Sequence, residues 1–115
     1  MYDERELIRG NTPLIVLAVL RDGPQHGYAV LQEINRRTGA SLTFKQGTLY
    51  PMLYALEDDG LIVGQWEHAE GERPRKVYRI TSAGVAELEK RLKAWETFTS
   101  AMQRVIGGLP DAQPS

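Results

Sequence analysis

The sequence predicts an α+β fold, mainly α: three helices, then a two-stranded hairpin, then one long final helix. Three observations predict it. Apolar residues recur at helical spacing in three short segments before residue 60, two β-rich runs flank a polar stretch between 61 and 80, and a three-and-four spacing is sustained from Val85 to Ile106. The 115 residues suffice for one domain with a modest core, and 42% hydrophobic with 25% charged residues is the balance of an ordinary globular chain.

Thr12-Pro13 has the form of a helix start, a hydroxyl N-cap before a proline whose missing N–H costs nothing at the first helical position, so a first helix is expected from there to about Asp22. Leu14 to Leu20 is apolar nearly all round, as in a helix buried mid-domain, and Gly23-Pro24 stops it. A second helix is expected from Gly27 to Gly39, where glycine suits the left-handed position past a C-terminus; Tyr28, Leu31 and Ile34 share one face. After the short link Leu42-Thr43-Phe44, a third helix is expected over Gln46 to Asp59, with Leu49, Met52, Leu53 and Leu56 inward and Gly60 closing it.

Leu61 to Trp66 and Lys76 to Ile80 read as the two strands of a hairpin whose long tip spans Glu67 to Arg75. Thr81 or Ser82 caps a last helix, Ala83 to Ile106, stopped by Gly107-Gly108, with a disordered tail expected from Pro110 to Ser115. Along it Val85, Leu88, Leu92, Trp95, Thr99, Met102 and Ile106 form a heptad seam, widened by Ala94, Phe98, Ala101 and Val105. So wide a stripe needs a partner, and a homodimer through Val85, Leu88, Leu92, Trp95, Met102 and Ile106 is expected.

This order of elements is the winged helix-turn-helix layout, with a DNA-binding domain over 1–81, a dimerisation helix over 82–109 in the same unit, and the tail over 110–115. In that geometry the start of the third helix faces base edges, which nominates Lys45, Gln46, Thr48 and Tyr50; the hairpin tip would lay Arg73, Arg75 and Lys76 along the phosphate backbone. Net charge is −1, so total charge gives no support to nucleic-acid binding, but the charge is segregated: Arg73 to Arg79 holds four basic residues and no acid, while acids gather at Glu57-Asp58-Asp59 and Glu67 to Glu72.

Other chemistry is poorly served. There is no cysteine, hence no disulfide or thiolate site, and His26 and His68 form no metal-ligand cluster; no cofactor or metal is expected. His26 reads as a capping or packing residue. No nucleophile elbow or phosphate-cradling glycine loop is present, so an enzyme is not expected. The longest apolar run falls well short of the ~18 residues of a membrane span, and the acidic start is not that of a secretory leader, so the expected compartment is the cytoplasm.

Gly23-Pro24-Gln25-His26-Gly27-Tyr28, Gly47-Thr48-Leu49-Tyr50-Pro51 with Leu53 and Leu56-Glu57, Gly60-Leu61-Ile62, and Arg75 through Gly84 together resemble the PadR family of bacterial regulators, collinearly from about Leu14 to Trp95. The single last helix is similar to that of the short subfamily, whose members dimerise through it. The resemblance implies repression released by a small molecule, and the two-fold symmetry of a dimer leads us to expect a pseudo-palindromic operator. It places DNA contacts on Tyr28, on Lys45 to Tyr50, and on Arg75 and Lys76. In multidrug-binding relatives a tryptophan of the last helix sandwiches flat ligands with its symmetry mate, which would make Trp95, with Phe98 and Met102, an effector site for planar aromatic compounds. Lys45-Gln46 stands where most relatives have a small residue, so operator preference is expected to differ. The rival reading is a winged-helix module for a protein or RNA partner without specific DNA binding.

Overall fold

The computed structural model of the protein describes residues 4–42 and 44–107. Helix α1 (Glu4–Arg21) starts well before Thr12, so Thr12-Pro13 is not a helix start. Thr12 is buried instead, and its hydroxyl donates to the Ile8 carbonyl at 2.6 Å, bonding back into the turn behind it rather than capping the turn ahead. Pro13 sits inside the helix, where it forfeits one backbone bond; burial of Val16, Leu17, Val19 and Leu20 offsets that loss.

Strand β1 (Gln25–His26) is too short for any periodicity to reveal, and it converts the expected hairpin into a three-stranded antiparallel sheet of order β1-β3-β2. Its residues pair with Tyr78 and Val77 of β3. Helix α2 (Gly27–Arg37) is capped by His26, whose Nδ1 accepts from the Ala29 amide at 3.3 Å. It ends two residues before Gly39, which holds φ 59° past the Thr38 cap.

Helix α3 (Gln46–Asp58) is followed by Gly60 at φ 74°, whose turn returns the Leu61 amide to the Leu56 carbonyl. Strands β2 (Ile62–Glu67) and β3 (Arg75–Ile80) form the hairpin in the register Ile62 opposite Ile80, Gly64 opposite Tyr78 and Trp66 opposite Lys76. Thr81 caps helix α4 (Ser82–Ile106): its hydroxyl accepts the Gly84 amide at 3.0 Å and donates to the Gly60 carbonyl at 2.8 Å, tying the end of α3 to the start of α4.

One core joins α1, α2 and α3 with the sheet and the first turns of α4, centred on Leu17, Leu20, Ile34, Leu49, Leu53 and Ile62. No described helix is long and apolar enough to cross a membrane. The expected tail at 110–115, Thr43 of the α2–α3 link and Gly108 of the last stop lie outside the described residues.

Candidate nucleic-acid interface

The α2–α3 turn is held by a side chain that sequence patterning did not single out. Asn35 receives the Phe44 amide on Oδ1 (3.2 Å) and donates from Nδ2 to the Phe44 carbonyl (3.4 Å), so the residue before the Lys45 cap of α3 is clamped on both sides while its ring enters the core. Tyr50 fixes the other contact between the two helices. Its ring lies so close to Gly27 that a Cβ there would come within 2.7 Å of it, which only glycine at the head of α2 permits.

These constraints present the first turn of α3 to solvent. Lys45, Gln46, Gly47 and Thr48 are all exposed, whereas Leu49 behind them is buried. The α2 and α4 starts carry a side-chain cap from His26 and Thr81; α3 begins on Lys45 with none, and no acid occupies its first turn. The positive end of the α3 dipole is therefore uncompensated and sits beside a lysine, an arrangement that favours an approaching anion.

Tyr28, Tyr50 and Tyr54 from the two helices and Trp66, Lys76 and Tyr78 from the hairpin line a common cleft of about 300 Å³. Tyr28, Tyr54 and Trp66 each keep about half or more of their surface in solvent, at 48%, 53% and 67%. Tyr54 and Trp66 were not among the residues expected here from sequence. Tyr54 follows Tyr50 at the four-residue spacing that would have revealed it, and Trp66 lies on the strand face it shares with Ile62 and Gly64.

The pleat divides the expected wing cations. Lys76 shares a face with Tyr78 and Ile80, toward the helices, while Arg75, Val77 and Arg79 belong to the other. Lys76 is engaged within the protomer: its Nζ donates to Glu57 Oε1 of α3 at 2.8 Å and lies 5.9 Å and 5.4 Å from the centres of the Tyr54 and Tyr78 rings. The Glu57 carboxylate holds the Lys76 ammonium above the ordinary lysine range. Arg73 and Arg75 are exposed and have no ion-pair partner among the described residues.

The expected dimer residues also divide. Leu88 is 2% exposed and belongs to the core of its own protomer, and Leu92 with it lines an apolar groove against Leu14, Ile15 and Ala18 of α1. Val85, Trp95, Phe98, Met102 and Ile106 are exposed. Among the described residues no group of three or more histidines and carboxylates could hold a metal ion.

Residues 16–90 match the model of the transcriptional regulator PadR-like family. Over 104 residues the chain is 38% identical to a transcriptional regulator of Mycobacterium tuberculosis, covering 90% of this chain and 91% of that protein. It is similar in structure to a PadR family transcriptional regulator from Eggerthella lenta, at TM-score 0.79 and 30% identity over 89% of this chain and 87% of the other. It is similar also to Bacillus subtilis PadR, solved in complex with operator DNA, at TM-score 0.65 and 27% identity over 70% of this chain and 46% of that one.

Proposed function

The chain belongs to the PadR-like family of transcriptional regulators, and from that premise we propose that it is a homodimeric repressor that reads a pseudo-palindromic operator with α3 and grips the backbone with the wing. The observation that carries this reading is the uncapped start of α3, exposed from Lys45 to Thr48 beside the cleft that the helices share with the wing. Gln46 and Thr48 supply base-edge hydrogen bonds, Lys45 reaches guanine or phosphate, and Tyr28 and Tyr50 supply hydroxyls for the backbone. Arg73 and Arg75 neutralise phosphate, since neither surrenders an internal ion pair to do so.

Two-fold symmetry comes from α4, whose exposed Trp95, Phe98, Met102 and Ile106 meet the same residues of a second copy and set the two α3 helices about one DNA turn, ~34 Å, apart. Trp95, Phe98 and Met102 at the centre of that dimer form the slot for a planar aromatic effector. A ligand there that changes the angle between the paired helices changes the spacing of the reading heads.

Gel shifts across a salt series on a duplex selected from a random pool test the proposal. Affinity is expected to fall linearly on logarithmic axes; Arg75→Ala should flatten the slope by ~0.9 per phosphate lost in each half-site. Gln46→Ala should cost ~1 to 3 kcal/mol on the selected duplex and little on random DNA. Binding that ignores salt, or no selectable duplex, overturns the DNA reading in favour of a protein or RNA partner. Quenching of Trp95 by planar aromatics with unchanged DNA affinity, measured with Trp66 replaced by phenylalanine, overturns the effector alone.

A further inference from the structure

We propose that Glu57 and Lys76 form a latch that sets the wing against α3, so that Lys76 is a positioning residue for DNA readout and not a phosphate contact; the inference rests on the DNA-binding reading above. The two residues lie nineteen positions apart, one on the last turn of α3 and one on β3, and their side chains are only 27% and 24% exposed. The ammonium donates to the carboxylate at 2.8 Å while resting near the Tyr54 and Tyr78 rings, one from each of the same two elements. One cation is thus shared by a carboxylate and two aromatic rings.

Space for the latch is built into the neighbouring strand. Gly64 lies opposite Tyr78, and a Cβ at that position would collide with the Lys76 stem and stand 3.0 Å from Glu57 Oε2. This glycine is not needed for a turn; its hydrogen side chain is what lets the ion pair pass under β2.

The energetics separate Lys76 from its neighbour. To reach a phosphate, Lys76 would leave Glu57 and both rings, stranding a half-buried carboxylate near an incoming anion. Arg75, one residue away and on the opposite face, makes the same contact with nothing given up. The latched pair is also neutral as a unit, so it releases no counterions when DNA binds. What it contributes is the angle between the helix that reads bases and the hairpin that holds the backbone.

The test compares Lys76→Met, Lys76→Arg, Glu57→Gln and Arg75→Ala with the unsubstituted protein. Amide resonances of β2 and β3 are followed in the free protein. Salt-dependent affinity is measured for a duplex selected from a random pool and for a random duplex of equal length. Lys76→Met and Glu57→Gln should each displace the same wing resonances and lower the preference for the selected duplex by about tenfold, as loss of a coupled pair does, and Lys76→Met should leave the salt slope unchanged because it removes no phosphate contact. Lys76→Arg, which keeps both the ion pair and the ring contacts, should restore the preference. Arg75→Ala should lower the slope. If Lys76→Met lowers the slope as Arg75→Ala does, Lys76 is a phosphate contact and the latch is wrong. If no duplex is selected even by the unsubstituted protein, the DNA reading fails while the resonances still decide the latch: a common displacement in Lys76→Met and Glu57→Gln supports it, and undisturbed wing resonances overturn it.

Discussion

The two halves of α4 carry one continuous apolar spacing and meet opposite fates. In the first half, Gly84 and Leu88 are buried against the α3–β2 turn and the common core, and Thr81 anchors the helix start to Gly60. From Lys93 to Gly107 every residue is exposed except Thr99 and Ala101, which are only half-buried, and Val105 reaches 83% exposure. The periodicity that produces the seam is the same throughout. Periodicity states that a stripe exists; what covers it depends on how far the rest of the fold reaches, and here the body ends near Leu92. The first half is thus part of the domain, and the second is an apolar face left in solvent.

The largest expected effects lie in the anchored half. Gly84→Ala would drive a methyl into the Leu61 carbonyl oxygen and to 2.7 Å from Ile80 Cγ1, backbone and core that cannot both yield, so a loss of about 3 kcal/mol is expected. Leu88→Ala, opening a cavity in the same core, should cost about 3 kcal/mol as well. Thermal unfolding checks both. Melting of either variant indistinguishable from that of the parent would break the division of α4 into a core half and an exposed half.

In the bare half, Trp95→Ser combined with Phe98→Ser should leave each protomer folded and abolish association, read by sedimentation equilibrium and by a melting temperature that no longer rises with protein concentration. A smaller effect should follow within that variant. Past Leu92 the described helix has no core to lean on, and its stability alone is marginal, so amides from Lys93 to Ile106 should exchange quickly while those from Val85 to Leu92 stay protected. Equal protection across the whole helix would mean that the second half stands without a partner.

Much of this was legible in the sequence, and the exceptions have physical causes. The α2 and α3 ends were marked by Gly39 and Gly60, both of which take the left-handed conformation that glycine alone adopts cheaply. The start of α1 was misplaced because Thr-Pro is an equally good signal for a cap and for a buried helical turn in which the hydroxyl bonds backward to Ile8. β1 exists only because β3 offers it an edge, a tertiary fact that two residues cannot encode. The engagement of Lys76 was partly legible, since alternation along Arg75-Lys76-Val77-Tyr78 already separates the arginine from the lysine. Its partner, on another element, was not.

The smallest expected effect sharpens the anchored half from outside α4. Beside the groove that Leu88 and Leu92 share with α1, Arg37 bridges Glu33 Oε2 at 2.6 Å and Asp22 at 2.7 Å, tying the end of α2 to the residue that follows α1. Hydrogen bonds from Arg36 and then Arg37 lower the Glu33 carboxyl from 4.5 to about 2. The folded value lies below the unfolded one, so the contribution to stability is fully present above about pH 4.5 and is lost as pH falls toward 2. The groups lie on the surface, where solvent and salt screen them, so the effect should be slight. Melting temperatures taken from pH 5 down to pH 2 should therefore fall somewhat more steeply for the parent than for Glu33→Gln, with the gap closing as salt is added. Amide exchange from Lys93 to Ile106, compared at each pH after correction for intrinsic rates, should not distinguish the two proteins. A substitution at Glu33 that altered exchange in the bare half and left melting untouched would show that the two halves of α4 are coupled, and would end the contrast between them.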